Sequence, residues 1–164
     1  MIRHVINFVL ILFPPSRCFQ IRSFILRCAN VKIARSVSVC GGGWIYGRGA
    51  LEIGHSTWLS PRVLFYTHIK APIILGANCD IGPGVTFVTG SHIIGGRKRR
   101  AGFGTANPIT VGEGCWIGAN SIILGGVSIA PGSVIAAGSV VTESVPSNVL
   151  VAGVPARFKK KLIE

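Results

Sequence analysis

Aliphatic residues recur at every sixth position over a long central stretch of this chain. From residue 111 to residue 146 the sequence divides into the units VGEGCW, IGANSI, ILGGVS, IAPGSV, IAAGSV and VTESVP, each opening with Val or Ile. A fixed period of six is typical of a parallel β-helix, in which each unit supplies one short strand and one turn. Three units close a triangular coil, so the opening residues of successive coils stack into a continuous interior. The fifth residue of a unit is small because it turns inward near a corner.

Openers of the same kind precede this stretch and extend the repeat over roughly residues 31–155. They are Ile33, Val39, Ile45, Ile53, Leu59, Leu75, Ile81 and Phe87. The pattern is interrupted briefly from Phe65 to Ile74 and for longer over residues 93–108. The periodicity therefore predicts an all-β fold, a parallel β-helix over 31–155 with a long loop at 93–108.

The two ends of the chain fall outside the repeat. Residues 1–30 contain the apolar run from Val5 to Phe13 and a following segment that mixes Arg with apolar residues, and we predict a helical segment there. Such a segment either caps the open end of the coil, where strand edges would otherwise be unpaired, or lies in a membrane interface. Its apolar run is too short to span a bilayer. Residues 156–164 form a basic C-terminal tail.

Composition and charge indicate which kinds of ligand and metal the protein is expected to bind. With 164 residues, 22 glycines and a net charge of +12, the chain is expected to form one domain whose surface attracts anions. Nucleic acid is not predicted, because the basic residues cluster in the loop and tail, without a recognised binding motif. The five cysteines form no CxxC pair, which favours buried thiols in a reducing compartment over a metal site. We expect no metal and a cytoplasmic location.

His92 is the strongest candidate for chemistry. It ends the unit FVTGSH, and the sequence IIGGRKRRAGFGTANP that follows breaks the period of six for about sixteen residues. Long excursions from a compact fold are more often functional than decorative. The histidine at the start of this one is therefore a candidate catalytic residue.

Three stretches carry a resemblance to a known family: TGSH with its basic loop, NPITVGEGCWIGANSIILGGVSI, and VLVAGVPARFKKK. Together they resemble the hexapeptide-repeat O-acetyltransferases, which include galactoside, maltose and streptogramin acetyltransferases and polysaccharide-modifying enzymes. The resemblance implies a left-handed coil, a homotrimer with active sites between subunits, and acetyl-CoA as acetyl donor. His92 matches the family's general base. Imidazole is suited to that role, because its ordinary pKa of about 6.5 leaves it largely neutral at pH 7.

The resemblance also implies which residues contact acetyl-CoA. Ala119, Ala137 and Thr142 match positions along the groove, and Arg157 and Lys160 match basic residues that meet the phosphates. One position departs from the family pattern, since Glu143 stands where many members have Lys.

The acceptor is less well defined. The stretch before the histidine offers Arg62, His68 and Lys70 in place of the acidic and amide side chains of galactoside-type members. We therefore favour a sugar hydroxyl of a bacterial surface polysaccharide, such as O-antigen, capsule or exopolysaccharide, or of its precursor, modified at the inner face of the cytoplasmic membrane. The alternatives are a serine acetyltransferase or other small-molecule acetyltransferase, a noncatalytic scaffold, and a γ-class carbonic anhydrase, which needs three zinc-binding histidines.

Overall fold

The computed structural model describes residues 2–163, which form two helices followed by a coil of short strands. The helices are α1 (Ile2–Ile11) and α2 (Phe19–Cys28). The strands are β1 (Lys32–Ile33), β2 (Ser38–Val39), β3 (Trp44–Tyr46), β4 (Leu51–Ile53), β5 (Trp58–Leu59), β6 (Leu64–Tyr66), β7 (Ile73–Leu75), β8 (Asp80–Ile81), β9 (Thr86–Val88), β10 (Gly90–Ile94), β11 (Ala101–Ala106), β12 (Ile109–Val111), β13 (Trp116–Ile117), β14 (Ile122–Leu124), β15 (Ser128–Ile129), β16 (Val134–Ile135), β17 (Val140–Val141), β18 (Val149–Gly153) and β19 (Ala156–Lys161).

The strands build a triangular prism. Each of its three faces is a sheet of parallel strands, except that β19 is antiparallel to β18. Face 1 has the order β1-β4-β7-β12-β15, face 2 the order β2-β5-β8-β13-β16-β18-β19, and face 3 the order β3-β6-β9-β14-β17. From β1 to β17, with β10 and β11 set aside, consecutive strands lie on consecutive faces, so each of these coils contributes one strand to each face. The predicted parallel β-helix is confirmed.

The opening residues of the six-residue units are aligned in register on each face. On face 2, for example, Leu59 pairs with Ile81, Ile81 with Ile117, and Ile117 with Ile135. These side chains point into the prism and are almost completely buried. Because they stack directly above one another, the apolar interior runs the length of the coil and supplies the hydrophobic stabilisation of the fold.

The short interruption differs from the prediction. Phe65 was placed inside it, but this residue belongs to β6, is buried, and stacks on Phe87 with a ring-centroid distance of 5.1 Å and an interplanar angle of 6°. Two aromatic openers thus fill adjacent layers of face 3. The true interruption is a longer corner after β6, closed by an isolated bridge between His68 and Ala71.

Polar side chains of the N-terminal helices form hydrogen bonds with backbone groups at the open edge of the first coil. The Asn7 side chain donates a hydrogen bond to the Ile45 carbonyl over 3.0 Å and accepts one from the Ile45 N–H over 3.3 Å. Ser23 donates to the Val37 carbonyl over 2.7 Å, and Arg3 donates to the Gly49 carbonyl over 2.8 Å. These bonds replace a neighbouring strand, so the edge has few backbone groups free to pair with another chain.

The linker between the helices is held by a buried arginine. The Arg22 guanidinium donates hydrogen bonds to the carbonyls of Phe13, Pro14 and Arg17, and the side chain is fully buried. Leu10 and Leu26 complete the contact of both helices with the core. Across residues 2–163, every helix is too short or too polar to cross a membrane.

Candidate active site

The long excursion, predicted as a loop at 93–108, is a β-hairpin that begins at Gly90 and ends at Ala106. Strands β10 and β11 pair antiparallel, with Gly90 opposite Ala106 and His92 opposite Gly104. The base is tied to the coil at Thr89, whose side chain donates to the Tyr66 carbonyl over 2.9 Å and whose carbonyl accepts from the Asn107 N–H over 3.0 Å. The hairpin therefore leaves the prism at the corner between face 3 and face 1 and presents His92 on a paired strand.

His92 is exposed to solvent, and its surroundings on this chain are open. Its cross-strand partner, Gly104, has no side chain, and a β-carbon placed there would meet nothing within 4 Å. Throughout residues 2–163 no group hydrogen-bonds to the imidazole. A group that approaches from outside this chain could reach both ring nitrogens.

The hairpin tip concentrates positive charge. Its turn is closed by the Gly95 N–H donating to the Arg100 carbonyl over 2.8 Å and the Arg99 N–H donating to the Gly96 carbonyl over 3.0 Å. Four consecutive basic residues, 97–100, are exposed there with no carboxylate of the described chain within ion-pair distance. The tip can therefore attract an anionic group without first breaking an internal ion pair.

Ala119 and Ala137 lie together at another corner, between face 2 and face 3. They occupy equivalent turn positions after β13 and β16, whose strands are paired in register. The Gly138 N–H donates to the Ala119 carbonyl over 2.8 Å, which links the two turns. The small side chains leave a smooth corner along which an extended ligand could lie.

Thr142, Arg157 and Lys160 are exposed near the C-terminal end of the coil. Arg157 and Lys160 are on β19, so the predicted basic tail is a strand paired antiparallel with β18. The Arg157 guanidinium lies 3.3 Å from the Glu143 carboxylate. The acid that departs from the family pattern thus partly neutralises the predicted phosphate-binding arginine.

The sequence prediction missed an aromatic groove on face 2. Register places Trp58, Asp80 and Trp116 next to one another on three consecutive strands, with the side chains directed outward. They line a surface groove together with Pro83. The signal was available, because each residue directly precedes an opener of the repeat. Two indoles flanking a carboxylate suit a ligand with apolar faces and hydroxyl groups.

The cysteines offer no accessible nucleophile in the coil. Cys79 and Cys115 occupy the inward fifth position and are buried, as predicted. A hydrogen bond to the neighbouring Cys115 thiol, together with burial, raises the pKa of Cys79 above its ordinary value. Cys79 also donates to the Gly112 carbonyl over 3.1 Å, so its thiol is engaged in the packing of adjacent coils.

The predicted site residues therefore form two separate groups on one chain. His92 and Thr142 lie at the corner between face 3 and face 1, whereas Ala119 and Ala137 lie at the corner between face 2 and face 3. Residues 2–163 contain no cluster of three His, Cys, Asp or Glu side chains arranged for a metal ion.

Known proteins share both this sequence pattern and this architecture. Residues 108–143 match the family model described as bacterial transferase hexapeptide (six repeats). The chain is 31% identical over 150 residues to a protein of Escherichia coli K12 named, provisionally, as the colanic acid biosynthesis acetyltransferase WcaF, covering 92% of this chain and 80% of that protein. It is also 34% identical over 128 residues to the galactoside O-acetyltransferase of Escherichia coli K12, covering 67% of this chain and 63% of that enzyme.

A solved structure extends the likeness to nearly the whole chain. The hexapeptide-repeat acetyltransferase VCA0836 of Vibrio cholerae O1 biovar eltor, in complex with acetyl-CoA, superposes with a TM-score of 0.70 at 30% identity. The match covers 99% of this chain and 88% of that one. The left-handed form of the β-helix is the architecture of such acetyltransferases. Against two further curated relatives the chain spans 48% and 44% of their length.

Proposed function

This chain belongs to the hexapeptide-repeat O-acetyltransferase family, and on that premise we propose that it transfers acetyl from acetyl-CoA to a sugar hydroxyl. The observation that carries the proposal is His92, which a β-hairpin anchored to the coil holds in an open, solvent-exposed position. Family membership supports acetyl-CoA as the acetyl donor. The exposed imidazole of His92, at the sequence position that matches the family's general base, supports its role as the base.

In the proposed reaction His92 acts as general base. Its neutral imidazole accepts the proton of the acceptor hydroxyl as that oxygen attacks the thioester carbonyl carbon. A new C–O bond forms, the C–S bond breaks, and the imidazolium returns its proton to the departing sulfur, which gives the acetyl ester and CoA thiol. Backbone N–H groups stabilise the negative charge that develops on the carbonyl oxygen. Acetyl passes directly to the acceptor, without an acyl-enzyme.

The separation of the two groups supports a site shared between copies of the chain. One face of the prism separates the corner that carries His92 from the corner that carries Ala119 and Ala137. In a cyclic trimer, the hairpin of one copy can approach the alanine corner of the next through a heterologous contact. Sedimentation analysis that gave only monomer at micromolar concentration would contradict this assembly.

Face 3 has the composition expected of that contact. Its outward residues are mostly apolar and include Trp44, Tyr66, Ile122 and Val140, all at least partly exposed on the single chain. The outward residues of face 1, by comparison, include the Lys32–Glu52 ion pair at 2.7 Å. An apolar face of this kind is normally covered by a partner.

Two features favour an acidic polysaccharide, or its lipid-linked precursor, as acceptor. The hairpin that carries His92 also carries the unpaired basic residues 97–100, which can meet carboxylates or a pyrophosphate. The groove with Trp58 and Trp116 suits stacking of sugar rings. The likeness to the named colanic acid biosynthesis acetyltransferase agrees with this class. A lipid-linked precursor would place the reaction in the cytoplasm, at the inner face of the membrane.

Neutralising the hairpin tip tests the acceptor proposal. We expect the variant with Arg97, Lys98, Arg99 and Arg100 all replaced by Gln to raise the KM for an acidic glycan by about tenfold or more. Exposed charge pairs contribute up to about 1 kcal/mol each. The same variant should keep its KM for acetyl-CoA and for a neutral sugar, which serves as internal control. An unchanged KM for the acidic glycan would remove these residues from acceptor binding.

Glu143 offers a test of the donor site. We expect Glu143→Gln to lower the KM for acetyl-CoA by about two- to fivefold, because freeing Arg157 from an exposed pair yields up to about 1 kcal/mol for the phosphates. The matched control is Glu113→Gln, which removes the same charge from an exposed residue that hydrogen-bonds Asn78 rather than an arginine. Equal effects in both variants would show a response to net charge and not to Arg157.

The function itself is tested by acceptor-dependent release of CoA. The full-length protein would be incubated with acetyl-CoA and, separately, with free sugars, serine and purified glycan precursors, and products would be identified by mass spectrometry. We expect release with a sugar-containing acceptor and an acetyl ester on that sugar. Serine as the best acceptor would establish the alternative amino-acid acetyltransferase. Tight binding of acetyl-CoA with no release in any mixture would contradict the proposed acceptor class.

A further inference from the structure

The solvent side of α1 carries almost no polar side chain. Arg3, Ile6, Asn7 and Leu10 face the coil. At about 100° per residue, the opposite side of the helix belongs to the remaining positions. Apart from His4, these are large apolar residues, and α2 adds two more beside them. The exposed apolar residues of this surface are Ile2, Val5, Phe8, Val9 and Ile11 of α1, Leu12 directly after it, and Ile21 and Phe24 of α2.

This surface, called here the cap face, is atypical for a water-exposed helix. A surface helix normally shows polar side chains to solvent, and contiguous exposed apolar patches mark interaction sites. Leu12 is 81% exposed. Phe8 is 64% exposed even though its ring packs edge-to-face on Trp44 of β3, with the ring centroids 5.5 Å apart. The cap face therefore lacks its partner in the isolated chain.

The charge around the cap face is mainly positive. Glu52 lines a concavity together with Arg3 and Arg48, but its carboxylate is paired with Lys32 over 2.7 Å. Residues 1–51 contain seven Lys or Arg and no Asp or Glu. Arg17 and Arg48 are exposed, and Arg3, His4 and Arg48 line a surface concavity of about 550 Å³ next to Ile2. Arg3 donates hydrogen bonds to carbonyls and to one hydroxyl within the described chain, so no carboxylate neutralises it there. The partner should therefore be both apolar and anionic.

We propose that the cap face docks on the surface of an anionic phospholipid bilayer. The apolar side chains of α1 would enter the boundary between headgroups and acyl chains, and Arg17, Arg48 and the concavity would meet the lipid phosphates. With ten residues, α1 would lie in the plane of the interface. A second copy is a poor occupant, because two cap faces would repel each other and the whole sequence has only five acidic residues.

Vesicle flotation of the full-length protein tests this docking without acetyl-CoA, so the result is independent of the proposed reaction. We expect binding to phosphatidylcholine vesicles that contain about 30% phosphatidylglycerol, weak binding to phosphatidylcholine alone, and weaker binding in about 0.5 M salt. Phe8→Ser with Leu12→Ser should lower the partition coefficient at least tenfold. The matched control is Ile94→Ser with Phe103→Ser, two residues of the hairpin that are 83% and 87% exposed.

A second pair of variants tests the charges. Arg17→Gln with Arg48→Gln should weaken binding to the anionic vesicles about fivefold or more, whereas Arg97→Gln with Arg100→Gln, the same loss of charge at the hairpin tip, should change it little. Circular dichroism and sedimentation of each variant verify fold and assembly.

Three outcomes would overturn the docking proposal. They are absence of wild-type binding to anionic vesicles, equal or larger losses in the hairpin variants, and dissociation of the protein assembly by the Phe8 and Leu12 substitutions. The last would identify the cap face as a contact between copies.

Discussion

Replacing His92 by alanine is expected to lower kcat for acetyl transfer by about 10²-fold or more, the usual contribution of a positioned general base. Without the imidazole, the acceptor hydroxyl must attack the thioester while still protonated, or lose its proton to water. Affinity for acetyl-CoA should change little, because the imidazole acts on the acceptor hydroxyl, whereas the predicted phosphate-binding residues Arg157 and Lys160 are on β19. Steady-state CoA release, with acetyl-CoA affinity measured by calorimetry, checks both parts.

The control for this experiment is His55→Ala. His55 is likewise an exposed histidine, but it lies in the turn between β4 and β5, away from the hairpin. Its removal should leave kcat within about twofold, as is usual for surface substitutions away from a site. If both variants were as active as wild type, His92 would have no part in the reaction. If both lost activity equally, the loss would reflect a general effect of removing a surface histidine.

Phe87→Ala is expected to have the largest effect on stability, lowering the free energy of unfolding by about 3–5 kcal/mol. The Phe87 side chain is fully buried on face 3 and stacks on Phe65 below, while Ile123 packs in the next layer. Each coil layer is covered only by its neighbours, so the coil can close little of the resulting cavity without losing its register. Urea unfolding at a fixed protein concentration measures the change.

Phe103→Ala is the matched control, because it removes the same atoms from a ring that is 87% exposed on the hairpin. Its effect on the unfolding free energy should stay within about 0.5 kcal/mol. A small effect of Phe87→Ala would mean that the aromatic layer contributes little to the coil. Comparable losses in both variants would indicate that the hairpin is packed against another part of the assembly.

The coil was predictable because its information is local and repeated. A six-residue period places every opener in the interior, and equal spacing fixes which openers meet on each face. Phe65 was missed because the corner after it contains extra residues. These residues break the period of six, so Phe65 was assigned to the interruption and not to the openers. The inward position of Cys79 and Cys115 followed from the same counting.

The candidate site was only partly predictable. His92 was identified from its place at the start of a long excursion, but the pairing of β10 with β11 was not, because Gly-rich strands lack the alternating apolar pattern that marks a hairpin. The ion pair between Arg157 and Glu143 joins residues of two different elements, and no periodic signal links them. The groove of Trp58, Asp80 and Trp116 depends on the register of three strands. Predicting it would have required aligning the outward-facing residues of those strands as well as the inward-facing openers.

By itself, the sequence determined the parallel coil, its interior and the position of the one excursion, since each depends on spacing along the chain. The tertiary structure decided how the ends are closed, which charges meet and which candidate residues share a corner. Asn7 reaching Ile45 and Arg157 reaching Glu143 are contacts between separate elements. Their existence depends on the direction in which a helix or strand returns to the coil, and side-chain spacing carries no information about that direction.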